Sequence, residues 1–282
     1  LHHKVLKLNG PYLTRCMTSL HPVPEYEHVW PSLEKEALVV AVVGVGNVSQ
    51  LCLDLLISSL KTSFVGYLES PCIPAVVGAA PYTTDPSKPF LTGSLELYHI
   101  PDRKTFLLQT RAPNFAGTRK KFAVELQNFV MQNKFSKVVL LSSSFAMARK
   151  DAQLLGLPVQ FALTGLPDSV EQLLRSLGLA EIPKEEGPSG DTSGPRLNIP
   201  GSGCAEALFS SLSTGGAPTA LLNFFTSEGD NRGDAVYMAN FLDSWLHLLT
   251  PQAVSAGMNP SKWKTPDCWA LLYGADPDPT LY

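Results

Sequence analysis

Two glycines follow a long apolar stretch of the sequence and suggest nucleotide chemistry. The stretch covers residues 38–43, and Gly44 and Gly46 come directly after it. In dinucleotide-binding proteins such a turn holds the pyrophosphate at the start of a helix, and an acidic residue after the next strand, here Glu69, binds the ribose. Ser49 replaces the third glycine or alanine, and a tight turn out of a buried strand needs the same glycines. A nucleotide-binding α/β enzyme or sensor is therefore the alternative function, and a purely structural turn is favoured.

Three consecutive serines, Ser142, Ser143 and Ser144, could supply a nucleophile. A serine nucleophile needs a histidine base, and outside the N-terminal region the sequence offers only His99 and His247. No Gly-x-Ser-x-Gly pattern surrounds the serines, and no spacing pairs them with either histidine. We therefore expect the serines to cap a helix that follows a strand, and His99 to lie within a hairpin strand.

An acidic loop near the C-terminal third offers acid–base or cation chemistry. Glu228 and Asp230 could act as general acid and base, or could hold a hard cation together with Asn231. Gly229 permits an unusual backbone angle, and Asp230, Asn231 and Asp234 can accept hydrogen bonds from the start of a helix. The structural interpretation is favoured, and we predict no catalytic residue, no cofactor and no metal site.

An alternation of apolar strands and amphipathic helices must position these groups. The predicted strands are residues 38–43, 64–68, 95–100, 105–110, 138–141, 159–164 and 220–226, and the predicted helices are residues 49–60, 119–134, 168–177 and 234–249. A further helical segment is expected between the serines and residue 155. Continuous apolar strands are typical of a parallel sheet covered on both faces, and the pair joined by the turn at 101–104 adds an antiparallel hairpin. The pattern predicts an α/β fold with a mainly parallel, mixed sheet, in which residues 38–68 form a βαβ unit.

Several segments fall outside this alternation. Prolines interrupt residues 69–89, which predicts a long surface loop. Residues 181–195 contain too little apolar surface to fold and predict a mobile insertion. Residues 1–35 show no clear period and are interpreted as a poorly specified leader. Asp168 begins a capping pattern for one helix, which Gly178 is expected to end.

Composition excludes several classes of protein. The 22 Lys and Arg against 25 Asp and Glu leave no basic surface for nucleic acid. The longest apolar run, residues 37–46, is far shorter than the about 20 residues of a membrane-spanning helix. The cysteines are odd in number, widely spaced and without a zinc-binding pattern, so we interpret them as reduced thiols: Cys16, Cys52, Cys72, Cys204 and Cys268.

The last 30 residues combine prolines with large aromatic side chains. Trp263 and Trp269 could anchor a partner protein or could pin this irregular tail to the body. Leu281 and Tyr282 present apolar bulk beside a carboxylate that a pocket with a lysine could bind.

Several motifs together resemble the proteasome assembly chaperone family. The matching stretches are Val-Gly-Asn-Val at 45–48, residues 50–60, Val-Gly-Tyr at 65–67, Pro-Tyr-Thr-Thr at 81–84, Leu-Ser-Ser-Ser at 141–144, Ile-Pro-Gly at 199–201, Ser-Glu-Gly-Asp-Asn at 227–231, and Trp263, Lys264, Trp269, Leu271, Leu272 and Gly274. They occur in order and at matching separations over residues 37–282, which is more specific than any single glycine motif. The leader has no counterpart in this resemblance.

The resemblance implies a three-layer α/β/α chaperone domain over residues 36–250. Residues 251–282 would then pack on this body as a tail with a free end. A chaperone for proteasome core particle assembly, present in the cytoplasm and nucleus, would pair with proteasome assembly chaperone 1 and bind the proteasome α subunits of the forming α-ring. No active site is implied. Tails of this family end in hydrophobic-tyrosine-any residue, whereas here the aromatic residue comes last in Thr280, Leu281 and Tyr282, the expected partner-binding residues.

Overall fold

A mixed β-sheet forms the centre of the molecule in a computed structural model that describes residues 21–22, 31–82, 91–185, 196–249 and 262–271. The strands are β1 His21–Pro22, β2 Ala37–Ala41, β3 Ser63–Glu69, β4 Val77–Ala79, β5 Leu91–Gly93, β6 Leu95–Ile100, β7 Thr105–Thr110, β8 Lys137–Phe145, β9 Val159–Thr164, β10 Ala180–Glu181, β11 Lys184–Glu185, β12 Arg196–Leu197 and β13 Thr219–Thr226. Nine of these described strands share the main sheet in the order β1-β3-β6-β7-β2-β8-β13-β9-β10.

The central strands are parallel and buried on both faces, as their continuous apolar sequences predict. Strands β7, β2, β8 and β13 run parallel to their neighbours in this group. In β2, Leu38 and Val40 pack into the core on one face of the sheet, while Val39 and Ala41 pack into the core on the other. The two-residue period of a strand thus divides one apolar run between two cores.

The predicted hairpin of β6 and β7 is confirmed, with Leu95 opposite Thr110 and Ile100 opposite Thr105. The predicted βαβ unit is wrong in one respect. Strand β3 runs in the same direction as β2, but it pairs antiparallel with β6, so that β6 and β7 lie between β2 and β3. The sequence pattern predicts each strand but not its neighbour, because pairing depends on contacts distant in sequence.

Helices cover both faces of the sheet. They are α1 Val48–Ser59, α2 Arg119–Gln132, α3 Asp151–Leu154, α4 Asp168–Ser176, α5 Ala205–Thr214 and α6 Arg232–Leu246, with short 3-10 segments at Val45–Asn47, Pro101–Arg103, Ala146–Ala148 and Asp267–Leu271. Apolar residues of α2 and α5 belong to one core, and those of α1, α4 and α6 belong to the other. The three-layer α/β/α architecture expected from the resemblance is confirmed. No helix in the described part of the chain has the length and apolar character to cross a membrane.

The ends of α4 are only partly as expected. Asp168 does not cap the helix, because the N-cap position is Pro167. Asp168 lies in the first turn, where its negative charge interacts favourably with the helix dipole. Gly178 ends the helix as predicted, with φ of +86°. Its N–H donates to the carbonyl of Arg175, and the N–H of Leu179 donates to the carbonyl of Leu174.

The irregular segments contain more order than their sequences indicate. Strands β4 and β5 form a small separate sheet, so the segment 69–89 is not entirely a loop, and its residues 83–89 lie outside the described part. Strands β11 and β12 pair across the segment between them. Residues 186–195 of the predicted insertion lie outside the described residues, as do residues 1–20 and 23–30 of the leader.

Candidate functional site at the carboxyl ends of the central strands

The residues that could act in catalysis or ligand binding lie together where β2, β8 and β13 end. The glycine turn, residues 44–47, follows β2; the three serines are the last part of β8; and the acidic loop, residues 227–231, follows β13. Because parallel strands place their carboxyl ends at one edge of the sheet, these three segments are neighbours. This is the edge at which open α/β sheets bind their ligands.

Protein atoms fill the space beside the glycine turn. A Cβ added at Gly44 would lie 2.5 Å from the carbonyl oxygen of Ser143, and one at Gly46, where φ is +64°, would lie 2.1 Å from Nδ2 of Asn231. The N–H of Val45 donates to the carbonyl of Gly201 at 3.2 Å. The glycines therefore permit close packing of the turn against β8 and the acidic loop. The turn is not open as a phosphate cradle would be.

Glu69 is remote from the glycine turn. In a dinucleotide site the acidic residue follows the strand beside the glycine-bearing strand. Here β7 and β6 separate β2 from β3, the strand that ends at Glu69. The structure does not bring the elements of the nucleotide motif together, which disfavours the alternative function.

The serines do not cap a helix, because β8 continues through them to Phe145. All three are buried and make internal hydrogen bonds. The hydroxyl of Ser143 donates to the carbonyl of Val45 at 2.6 Å, and Ser142 and Ser144 bind the side-chain amide of Asn223 at 3.1 and 2.7 Å. They join neighbouring strands and are not available as nucleophiles.

Neither histidine lies beside the serines. His99 is in β6, as predicted, where it stacks on Phe106 at 4.2 Å between ring centroids and contacts Oε2 of Glu36 at 2.7 Å. His247 lies at the C-terminal end of α6 with φ of +50°. No Ser–His pair is formed by these residues.

Hydrogen bonds from one side chain hold the acidic loop against the glycine turn. Asn231 is buried, and its Nδ2 donates to the carbonyls of Ser227 at 3.1 Å, Gly229 at 3.2 Å and Gly46 at 3.3 Å. Asn231 thereby ties the start of α6 to the glycine turn. The loop is therefore structural, but Asn231 does not accept a hydrogen bond from the start of α6 as expected.

Asp230 forms an exposed pair with Arg232, whose hydrogen bonds lower the pKa of that carboxyl. Asp230 also accepts a hydrogen bond from the backbone N–H of Arg232 at 3.1 Å. Within the described ranges, no group of three or more His, Cys, Asp or Glu side chains is arranged to hold a metal ion.

A buried polar cluster that the sequence did not reveal lies between α1 and the hairpin. It consists of Asp54, Tyr82, Glu96, Gln109 and Arg111. Arg111 donates to Oδ1 of Asp54 at 3.0 Å, to Oε2 of Glu96 at 3.1 Å and to the hydroxyl of Tyr82 at 2.6 Å. Gln109 donates to Oδ1 of Asp54 at 2.8 Å. No sequence signal marks the cluster, because its members come from four separate segments.

Burial and charge shift the ionisation of this cluster. Burial raises the pKa of Glu96, although Arg111 and three hydrogen bonds oppose the shift. Burial would lower the pKa of Arg111, but Asp54, Tyr82 and Glu96 outweigh it and raise the pKa. One guanidinium therefore forms ion pairs with two buried carboxyl groups. Its replacement by a neutral side chain would lower the stability of the protein.

The cysteines in the described ranges have free thiols. Cys52, Cys72 and Cys204 are buried, and Cys268 is half-buried. Burial raises the pKa of Cys204 to about 12, which keeps its thiol protonated and unreactive near neutral pH. Cys16 lies outside the described residues.

The tail is fastened to the body by a segment that we call the C-terminal strap, residues 262–271. Trp263 and Trp269 are buried in the core formed by α1 and α6. The indole N–H of Trp263 donates to Oδ1 of Asn240 at 3.0 Å, and the backbone N–H of Lys264 donates to Oγ of Ser59 at 2.7 Å. Both tryptophans thus pin the strap to this chain. Thr280, Leu281 and Tyr282 lie outside the described residues.

A second feature missed by the sequence is an apolar loop, residues 145–157, which begins at the last residue of β8. Its side chains Phe145, Met147, Leu154 and Leu155 are exposed. The sequence pattern predicted a helical segment here, and such a helix would bury apolar residues. Only the single turn of α3 and a 3-10 turn form, so these side chains remain at the surface.

Two solved structures with a similar fold come from the archaeon Pyrococcus furiosus. The crystal structure of Pyrococcus furiosus PbaA, described as an archaeal homolog of proteasome-assembly chaperone, matches with a TM-score of 0.57 at 20% identity, covering 79% of this chain and 86% of that one. Pyrococcus furiosus PbaB, described as an archaeal proteasome activator, matches with a TM-score of 0.54 at 16% identity, covering 84% of this chain and 93% of that one. At these identities the likeness shows the fold alone.

Sequence comparison identifies relatives over nearly their whole length. The chain is 35% identical over 255 residues to Proteasome assembly chaperone 2 of Homo sapiens, covering 89% of this chain and 97% of that protein. It is 36% identical over 257 residues to Proteasome assembly chaperone 2 of Danio rerio, covering 89% and 96%. The model of the PAC2 family matches residues 38–233, which include the central strands and the loops at their carboxyl ends. The chain therefore belongs to the PAC2 family.

Proposed function

We propose that this chain is a chaperone for the assembly of the proteasome core particle. One observation carries the proposal: the chain aligns at 35% identity with 97% of the length of a human protein named Proteasome assembly chaperone 2. The geometry agrees with a non-catalytic role, because the glycine turn, the serines and Asn231 bind one another at the edge where an enzyme would bind substrate.

The finer proposal is that the chain acts in the cytoplasm and nucleus as a heterodimer with proteasome assembly chaperone 1, and that this pair binds the α-ring. A rigid α/β body with a tail fastened at Trp263 and Trp269 supports it. A short tail binds weakly alone, but a tail tethered to a body that also contacts the ring acts at a high effective concentration. Thr280, Leu281 and Tyr282 are the residues proposed to enter a pocket between α subunits.

Co-purification tests the proposal as a whole. The tagged chain should recover both proteasome assembly chaperone 1 and α subunits from cells, and native mass spectrometry should give a one-to-one ratio of the two chaperones. Recovery of neither would contradict the proposed function. Recovery of the α subunits alone would leave the assembly role and reject the pairing.

The role of the tail is tested separately. Replacing Leu281 and Tyr282 by serine keeps the length of the tail but removes its apolar bulk. We expect weaker binding to α subunits, unchanged pairing with proteasome assembly chaperone 1 and an unchanged melting temperature, because chain ends contribute little to folding. Asp278→Ala is the matched control and should bind as the wild type does. Unchanged binding of the serine variant would move the ring contact to the body.

A further inference from the structure

The buried polar cluster is bonded to two peripheral segments of the fold. One is the separate sheet of β4 and β5, which we call the small sheet, and the other is the C-terminal strap. The two segments are far apart in the sequence, and each reaches the cluster through a different residue. The cluster therefore lies between them in the fold.

The small sheet is held at Glu96. Oε1 of this carboxyl group accepts hydrogen bonds from the hydroxyl of Thr92 at 2.8 Å and from the backbone N–H of Gly93 at 3.2 Å, and both donors belong to β5. The other oxygen, Oε2, accepts from Arg111 at 3.1 Å. Because Glu96 is fully buried, these hydrogen bonds replace the hydration that its carboxylate has lost. Detachment of β5 would leave Oε1 without these two donors.

The strap is held beside Tyr82. The backbone N–H of Cys268 donates to the carbonyl of Pro81 at 3.4 Å, and Tyr82 and Cys268 both pack against the core formed by α1 and α6. The Tyr82 hydroxyl donates to Oδ1 of Asp54 at 2.5 Å and accepts from Arg111 at 2.6 Å. Burial raises the pKa of the Cys268 thiol and the charge of Asp54 raises it further, which places the strap close to the cluster.

One guanidinium connects these two attachments. Arg111 contacts Glu96 on the side of the small sheet, and it contacts Asp54 and Tyr82 on the side of the strap. Hydrogen bonds in a buried network strengthen one another, and a buried charge that loses part of its compensation is costly. Loss of either segment therefore weakens the bonds that hold the other segment.

We propose that the buried polar cluster couples the C-terminal strap to the small sheet, so that these two segments open as one unit while the main sheet stays closed. The coupling needs only contacts within this chain, and it stands or falls separately from the proposed function. Such coupling is reciprocal, because opening of the strap must favour opening of the small sheet by the same factor as the reverse. A ligand that stabilised one segment would thereby stabilise the other.

Hydrogen exchange in two variants tests the coupling from both sides. Thr92→Val removes a hydroxyl that is bonded to the cluster, and it should accelerate exchange at the amide of Cys268 by about fivefold or more. Trp263→Ala loosens the strap and should accelerate exchange at the amide of Gly93 to a similar extent. Both amides donate hydrogen bonds, so their exchange reports local opening. The amide of Val39 in the main sheet should keep its rate in both variants.

Two matched variants serve as controls. Thr214→Val removes an exposed hydroxyl that donates to the carbonyl of Ser210 within α5 at 2.9 Å. Lys264→Ala shortens a side chain of the strap but keeps the backbone hydrogen bond to Ser59. Neither change removes a contact of the cluster, so exchange at both reporter amides should stay within about twofold of the wild type.

Arg111→Lys tests whether the coupling passes through the guanidinium. Lysine keeps the positive charge but cannot donate with the same fork, so in this background Thr92→Val should change exchange at Cys268 by less than about twofold. A cross-effect of undiminished size would overturn the proposed route.

The coupling is also refuted if either variant accelerates exchange in its own segment alone. Equal acceleration at Val39 would refute it too, because the main sheet would then open together with the two segments. If Trp263→Ala fails to fold, Thr92→Val decides alone, since unchanged exchange at Cys268 in that variant contradicts the coupling.

Discussion

Gly46 illustrates how one residue type can serve two chemistries. Its φ of +64° requires glycine or a residue that tolerates the left-handed region, and its missing side chain makes room for Asn231. In a nucleotide-binding protein the same freedom would admit a phosphate. Here the amide of Asn231 occupies that space, and the turn becomes part of the scaffold.

Replacement of Gly46 by alanine should destabilise the protein by more than backbone strain alone. Gly117 is the matched control, because its φ is +78° and a Cβ there would meet no atom within 4 Å. We expect Gly117→Ala to lower the free energy of unfolding by about 1 kcal/mol, and Gly46→Ala by about 1–3 kcal/mol more, since its Cβ must displace Asn231. Urea denaturation measures both. Equal losses would show that Asn231 moves aside without cost.

The buried polar cluster depends on Arg111, because this residue pairs with both of its carboxyl groups. Asp54 and Glu96 are both buried, and Arg111 is the cation that contacts them. Arg111→Met should lower the free energy of unfolding by about 3–5 kcal/mol, because it leaves buried carboxyl groups without their partner. Denaturant titration gives the loss.

Arg175 provides the control for this prediction. Its pairs with Glu171 and Glu181 are exposed and screened by solvent, so Arg175→Met should lower the free energy of unfolding far less than Arg111→Met does. If Arg111→Met fails to fold, Arg111→Lys keeps the charge but cannot donate to Asp54 and Glu96 with the same fork, and an intermediate loss is expected. A loss no larger than that of Arg175→Met would contradict the assigned role.

Among the elements, the C-terminal strap has a stability that can be separated from that of the sheet. It contacts the end of α1 through Lys264 and Ser59, and the N–H of Cys268 donates to the carbonyl of Pro81 at 3.4 Å. These contacts lie at the periphery, whereas β2 is at the centre of the sheet. Local opening of peripheral segments commonly precedes global unfolding.

Trp263→Ala should release the strap and leave the sheet intact. Hydrogen exchange should become faster at the amides of Lys264 and Cys268, because both donate hydrogen bonds that hold the strap, while the amide of Val39 in β2 keeps its rate. Lys264→Ala is the control, since the strap contact at that position uses the backbone. Equal acceleration at Val39 would mean that strap and sheet open as one cooperative unit.

At the scale of the whole molecule, the sheet order and the packing at its carboxyl edge disfavour a nucleotide site. The edge of the sheet where a dinucleotide would lie is filled by hydrogen-bonded side chains, and Glu69 follows a strand two positions away from the one expected. The exposed apolar loop begins at that same edge, at the last residue of β8.

We therefore expect NAD, NADP and purine nucleosides to leave the melting temperature unchanged. A ligand at a hundred times its dissociation constant would add about 2.7 kcal/mol to the stability, which a thermal shift assay detects easily. A known dehydrogenase serves as the positive control for NAD and NADP. A rise in melting temperature that Gly46→Ala abolishes would restore the nucleotide hypothesis.

The sequence by itself determined the class of fold and most of its elements. Strand β9 and the hairpin of β6 and β7 occur where predicted, since buried strands carry unbroken apolar runs and a turn residue such as Pro101 limits where the chain can reverse. These signals are local, and they act through the periodicity of one segment.

Only the tertiary structure decided which groups meet and which remain exposed. The sheet order separates Glu69 from the glycine turn, β8 extends through the serines, and Arg111 contacts carboxyl groups from two other segments. Met147 and Leu155 look like core residues in the sequence and are exposed in the structure. Pairing, burial and exposure depend on contacts between residues far apart in the chain, and local periodicity contains no information about those partners.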